Sequence, residues 1–362
     1  MAPSATDTDS HSSLPPLGHQ EPVQLCGALD AYEHFDMTPA IGCEFPSANL
    51  AEWMVSSDAE ELIRDLAVKI SQRGVVVFRA QDQLTNDMQK NLILRLGELT
   101  GTPKTSRLHI HPVRNNARDL GGNDAEISTI SSVQTKKIYN KINGDRSTVK
   151  KANGEGWHSD VAYEPVPASY TSLRLSELPS TGGDTLWASG YEVYDRISRP
   201  FQKFLETLTV TFHQPFFKDM AQKGGFTMYE GPRGAAENVG TELRATHPVV
   251  RTNPVTGWKS IFAVGPAADR INGVTDEESK RLLDWFHDLV WRNHDLQVRL
   301  RWKNKNDIAI WDNRSVFHTA TFDYLGYGER FGHRAVGMGE RAYFDLCSMS
   351  RRDALGLPQM ND

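Results

Sequence analysis

The chain has 362 residues, 40 basic and 46 acidic side chains, and a formal charge of −6. That length allows one large domain or two ordinary ones, and the acidic balance speaks against a protein built to coat nucleic acid. No apolar run approaches the roughly 18–20 residues of a membrane span, and Cys26, Cys43 and Cys347 are too few and too scattered for a disulfide framework or a thiolate zinc site. The expectation is a soluble, reduced, cytoplasmic protein with neither nucleic acid nor membrane as partner.

Residues 1–22 are rich in Ser, Pro and Thr and lack the apolar stretch of a signal peptide. They read as a disordered leader ahead of a single domain over 23–362. Ala59–Gln72 carries Leu and Ile at helical spacing, with Gly74 as its stop, and Val75–Phe78 (VVVF) reads as a buried strand. Asn86–Gly97 is a second amphipathic helix. Tyr170–Leu175 alternates like a strand, and ELPSTGGDTLWA is a turn feeding another. Tyr191–Ile197 and Arg199–Leu205 suit helices. Val249–Arg251 and Trp258–Val264 make a strand pair around a turn at Gly257. Asp276–Asn293 is the clearest helix, with Leu282, Leu283, Phe286, Leu289 and Val290 on one face. Val298–Trp302, Asp307–Trp311 and Ala335–Met338 alternate again. Short strands with helices between and before them point to one α+β domain around a twisted β-sandwich or barrel.

One charged stretch interrupts this order. Lys136, Lys137, Lys141, Arg146, Lys150 and Lys151 are opposed only by Asp145. The stretch reads as a solvated loop or as a lid whose charge attracts an anion. Trp285, Trp291 and Trp302 read as packing, His247, His287 and His294 as structural, and Cys347 as a small buried residue.

Chemistry begins at Trp157-His158-Ser159-Asp160. In a strand, residues i and i+2 share a face, so His158 and Asp160 can grip one metal from one side. Alone, H-x-D arises by chance in many proteins. A third ligand strengthens it: Ile308–Asp312 is a strand running into a turn, and His318 follows. Two His and a carboxylate on one face leave the other face of a metal open, as in non-haem Fe(II) oxygenases. Such an iron needs an electron source, and 2-oxoglutarate serves if its far carboxylate can be held. Arg330 and Arg334, four residues apart, can face the same way and match carboxylates with their forked donors.

Four blocks carry a wider resemblance: LHIHPV (Leu108–Val113), WHSD (Trp157–Asp160), ELPSTGGDTLW (Glu177–Trp187) and WDNRSVFHTATFDYLGYGERFGHRA (Trp311–Ala335). In these, and in their order, the chain resembles the taurine dioxygenase (TauD/TfdA) family of Fe(II)/2-oxoglutarate oxygenases. The resemblance implies an α+β double-stranded β-helix, a jelly-roll of two facing sheets with flanking and inserted helices. It implies Fe(II) with 2-oxoglutarate and O2 as cosubstrates, and His158, Asp160 and His318 as iron ligands. Thr185 and Arg330 match the residues that bind 2-oxoglutarate. Arg334 and His111 match those that hold the substrate's acid group, with Val161 as a backbone contact. His109 reads as support through a hydrogen bond to that shell. A homo-oligomer is usual for the family.

The departures concern the substrate. Where the taurine enzyme has a tyrosine after LHIHPV, this chain has Arg114, and Gly154 stands where a polar residue serves the taurine amine. An extra arginine suits a second negative group, or a carboxylate held in another pose. The expected reaction is oxidation of a C–H bond in a small anionic molecule (a sulfonate, carboxylate or amino acid) with formation of succinate and CO2. Two rivals stay open: an amino-acid tailoring oxygenase that desaturates or closes rings, and a non-catalytic jelly-roll binder.

Overall fold

The structure is a computed structural model that describes residues 20–113, 124–135 and 156–360. Most of the leader, Arg114, Gly154 and the basic stretch 136–151 lie outside the described residues.

The chain opens with β1 (Phe35–Asp36), β2 (Cys43–Phe45), α1 (Leu50–Val55), α2 (Ala59–Arg73), β3 (Val75–Phe78) and α3 (Asn86–Glu98). Gly74 ends α2 at φ +76°, as its position suggested. Next come β4 (Ser128–Ser131), the single turn α4 (Ser132–Thr135), β5 (Ala168–Glu177), β6 (Thr185–Ser189), α5 (Gly190–Asp195) and α6 (Arg199–Leu205). The middle holds β7 (Thr209–His213), α7 (Phe216–Gly224), β8 (Arg244–Pro248), β9 (Val250–Thr252), β10 (Lys259–Ile261) and β11 (Ala268–Asn272). The chain closes with α8 (Asp276–Arg292), β12 (Gln297–Leu300), β13 (Asp307–Asp312), β14 (Val316–Ala320), β15 (Phe331–Met338) and α9 (Arg351–Ala354).

Seven strands form the large sheet in the order β1-β2-β3-β13-β5-β15-β4, and β12-β6-β14 form a smaller one. VVVF is apolar throughout because β3 is covered on both faces. Val75 and Val77 join Leu173, Ala309 and Trp311 against Trp187, Val298 and Leu300 of the small sheet. Val76 and Phe78 point the other way, with Ile308 and Ile310, onto Leu62, Leu66 and Leu92 of α2 and α3. The two sheets therefore face one another, with helices outside the large one. This is the jelly-roll expected.

α8 begins with a capping box, in which the Thr275 hydroxyl accepts from the Glu278 N–H and the Glu278 carboxylate accepts from the Thr275 N–H. Leu282, Phe286 and Val290 bury its apolar face in the core over β7 and β11. Two expectations need correction. The strands around Gly257 are only three residues each, 250–252 and 259–261. Cys347 is exposed, because it lies past β15 in a surface turn where its N–H donates to Asp345. Among the described residues no helix is long and apolar enough to cross a membrane.

Candidate active site

The site lies between the facing sheets, at the end marked by β6 and β14. In β14, His318 pairs across from Trp187 of β6, while Ala320 pairs across from Thr185. Alternation puts Thr185, Trp187 and His318 on one face of the small sheet. Trp311 of β13 packs its ring 4.8 Å from that of His318.

His158 and Asp160 do not sit in a regular strand. His158 makes one antiparallel bridge, exchanging backbone hydrogen bonds of 3.1 and 2.8 Å with His318, and the chain then turns. Strand alternation is thus the wrong reason for the right convergence. The turn is fixed instead by Asn313, whose side-chain oxygen accepts from the Asp160 N–H (3.0 Å) and from the Trp311 indole (3.0 Å). Its amide donates to the Ser169 carbonyl and the Thr171 hydroxyl, so all its hydrogen-bonding capacity is used. Ser159 donates to the Val316 carbonyl at 2.9 Å. Val161, next after Asp160, is held at φ +59°, a conformation a β-branched residue adopts only under strong constraint.

One nitrogen each from His158 and His318 and one oxygen of Asp160 lie within 4.8 Å of one another. His158 Nδ1 donates to the Gly156 carbonyl (2.7 Å), which makes Nε2 the ring nitrogen available to a metal. Burial, reinforced by His158, pushes His318 down to about 3, so it is neutral at physiological pH. Burial pushes the Asp160 carboxyl up, but Arg334, then His318 and His158, outweigh it and hold it at about 2. Asp160 Oδ1 accepts from Arg334 at 2.8 Å, while buried Oδ2 has no hydrogen-bond partner and lies 4.0 Å from His318 Nε2. Two imidazole nitrogens and an ionised carboxylate with one oxygen uncommitted fit a divalent metal.

Arg330 and Arg334 flank this triad. Arg330 Nε donates to the Gly183 carbonyl (2.9 Å) and its Nη2 to the Thr185 hydroxyl (3.3 Å). Gly183 is required there: it has φ +73°, and a Cβ would stand 3.0 Å from Arg330 Cδ. The segment of His109 and His111 runs along the far end of β15, with the His109 N–H donating to the Val336 carbonyl. His111 Nδ1 accepts from the Val113 N–H (3.2 Å), and its ring packs 5.1 Å from Phe217, which in turn lies 5.9 Å from Tyr163. His109 is not the hydrogen-bonding support expected: both ring nitrogens are buried without a partner. Burial, then Arg334 and Arg233, push it down to about 3.

Sequence reasoning missed three groups. Asn313 lay inside a recognised block without a role. Trp302 donates to the Thr185 hydroxyl at 3.2 Å. Arg233 makes a buried bidentate pair with Glu164 (2.5 and 3.0 Å), and its neighbours tie the same loop to the His111 segment through Tyr229 N–H to Pro112 and Arg107 N–H to Gly234. None leaves a local pattern, because the decisive partners (Asp160 for Asn313, Thr185 for Trp302 and Glu164 for Arg233) are far away in the chain.

Comparison with known proteins agrees with this geometry. The family described as "Taurine catabolism dioxygenase TauD, TfdA family" matches residues 33–336. The alpha-ketoglutarate-dependent dioxygenase btcD of Neocamarosporium betae is 49% identical over 342 residues, covering 92% of this chain and 98% of its own. The alpha-ketoglutarate-dependent sulfonate dioxygenase of Saccharomyces cerevisiae is 31% identical over 310 residues, covering 86% of this chain and 68% of its own. A crystal structure of a taurine dioxygenase from Burkholderia xenovorans shares the fold at a TM-score of 0.62 and 22% identity, over 87% of this chain and 97% of that one. With a matching sequence family, a matching fold and a His–Asp–His cluster between the sheets, the chain belongs to the TauD/TfdA family of Fe(II)- and 2-oxoglutarate-dependent dioxygenases.

Proposed function

We propose that His158, Asp160 and His318 hold the iron, that Arg330 and Thr185 hold 2-oxoglutarate, and that Arg334 and His111 hold the acid group of a small anionic substrate. The observation that carries this reading is the convergence of three ligand atoms within 4.8 Å, flanked by two buried or half-buried arginines from one stretch of chain. When bound, Fe(II) supplies the activation of O2 that couples decarboxylation of 2-oxoglutarate, to succinate and CO2, with oxidation of a substrate C–H bond.

The residues' task is orientation. Arg330 offers a forked cation to the cosubstrate's distal carboxylate. Asn313 fixes the turn that aims Asp160. Val161 directly follows Asp160 and the His111 segment runs beside β15, so both are assigned to the substrate side with Arg334, where Arg114, read from the sequence, would add positive charge. Pinning the substrate's acid group presents one C–H bond at a fixed place. The yeast relative is a sulfonate dioxygenase, which supports an anionic substrate, and the basic stretch 136–151 suits its attraction. The single domain over 23–362, the disordered leader, a homo-oligomeric state and a cytoplasmic location belong to the same proposal.

Anaerobic Fe(II) plus 2-oxoglutarate should give the weak visible charge-transfer band of a chelated keto acid, and neither component alone should. Replacing His158, Asp160 or His318 by Ala should abolish it. A normal band in all three variants would show that the metal sits elsewhere. A screen of sulfonates, amino acids and aryloxy or alkyl acids, scored by succinate formation, then identifies the substrate class.

A further inference from the structure

Thr185 carries a hydroxyl with one proton and two acceptor lone pairs. Both lone pairs are engaged. Arg330 Nη2 donates to the oxygen at 3.3 Å and Trp302 Nε1 donates to it at 3.2 Å, and neither guanidinium nor indole N–H can act as an acceptor. The hydroxyl is therefore left with one option, which is to donate. All three residues are buried, at 3% exposure for Thr185 and Arg330 and 7% for Trp302, so water does not offer an alternative acceptor on that side.

The backbone holds the three groups in place. Thr185 opens β6 and is paired with Leu300 of β12, and Trp302 follows two residues later, packed among Leu175, Trp187 and Leu300. Arg330 is held from the other side by the Gly183 carbonyl. No carboxylate pairs with Thr185, Arg330 or Trp302 among the described residues.

We propose that Trp302 is a positioning residue for the cosubstrate: its indole N–H occupies the second lone pair of Thr185 and so fixes that hydroxyl as an outward donor to a 2-oxoglutarate carboxylate. The inference rests on the cosubstrate pocket proposed above. Without the indole donor the hydroxyl keeps a free lone pair, can rotate, and must be reoriented each time the anion binds. Trp302 touches no cosubstrate atom in this account. Its whole effect passes through Thr185.

The test is a double-mutant cycle on the Fe(II)-loaded protein, titrated anaerobically with 2-oxoglutarate and read by the charge-transfer band. Trp302→Phe should raise the half-saturation point about two- to tenfold, the worth of one neutral hydrogen bond, and Thr185→Val should raise it at least as much, because its hydroxyl donates to a carboxylate. In turnover, kcat at saturating 2-oxoglutarate should fall less than that point rises. In the Thr185→Val background, Trp302→Phe should add nothing, because the two residues act as one unit. An undiminished effect of Trp302→Phe in that background overturns the positioning role. An unchanged half-saturation point in Thr185→Val overturns instead the reading of the pocket itself. Should Trp302→Phe fold poorly, the metal-free Thr185→Val protein labelled with 15N-tryptophan decides the matter. One of the eight indole N–H signals should move upfield on loss of its acceptor, and no movement would refute the bond.

Discussion

Arg330 and Arg334 stand four residues apart at the same end of the molecule, yet their surroundings are opposite. Among the described residues Arg330 is oriented only by neutral acceptors, the Gly183 carbonyl and the Thr185 hydroxyl. Burial pushes its pKa below the usual guanidinium value, and its charge is uncompensated by any paired carboxylate among the described residues. Arg334 already has its anion, Asp160, at 2.8 Å. In the proposed assignment a dianionic cosubstrate would meet a pre-oriented positive charge on one side. On the other, an anionic substrate would have to share an arginine with Asp160. The two sides differ in construction as well. The first is built from β6, β12 and the start of β15, in register. The second is assembled from the 107–113 segment, α7 and the 229–240 loop.

The sharpest way to break this contrast is to remove each cation in turn. Arg330→Ala should weaken 2-oxoglutarate by about 1.5–3 kcal/mol, roughly 10- to 150-fold, as expected for a charge-assisted bond. The apparent affinity for the primary substrate should stay nearly constant. If only the substrate's KM moved, the roles of the two arginines would be reversed. Arg334→Ala should have a smaller and mixed effect, because its charge is partly committed. It should raise the substrate KM about tenfold and lower kcat, since an unpinned substrate presents its C–H bond poorly. Uncoupled decarboxylation of 2-oxoglutarate should survive in largest part. Loss of that background reaction too would mean that Arg334 serves Asp160 more than it serves the substrate.

The smallest effect is in stability, and it too falls on the substrate side. His247 bonds the carbonyls of Ala162 and Glu164, just past the metal turn, and burial, then Arg251, push it down to about 3. His109 is pushed down to about 3 as well. A histidine with a folded pKa below its unfolded 6.5 is neutral in the fold and charged in the unfolded chain over the interval between. The unfolded state then binds more protons, so stability is present above about 6.5 and is lost as pH falls toward 3. By pH 5.5 each such group should cost about 1 kcal/mol. Urea melts of His247→Gln should show a shallower loss between pH 6.5 and 5.5 than the parent protein. Parallel curves would place the acid sensitivity elsewhere.

What the sequence revealed follows from how local each interaction is. β3 and α2 were legible because four consecutive apolar residues and a 3.6-residue period are each visible within one turn or strand. The triad was legible because H-x-D and a turn followed by His318 are short motifs. β8 was not, since its inward residues are Ala245 and His247, which make no apolar alternation. β1 and β2 are too short to show a period, and β2 is held by parallel pairing to β3. The strand expected at WHSD proved to be a bridge and a turn, and nothing about Val161 in the sequence announces a left-handed backbone. Trp302 and Thr185 are 117 residues apart, and Arg233 and Glu164 are 69 apart. Such pairs exist only once the sheets have closed.

The pairing of distant strands also sets when the site can come into being. β13 is sandwiched between β3, more than two hundred residues earlier, and β5, while His318 on β14 closes the bridge to His158. During synthesis the first ligand leaves the ribosome long before its partner. The N-terminal strands wait with one sheet neighbour missing until residues 307–338 arrive. Folding dominated by such long-range closure is slow and exposes unpaired edges in the meantime. A nascent chain halted before β13 should therefore carry His158 and Asp160 yet bind no metal, and it should be a preferred client of chaperones that recognise open strands.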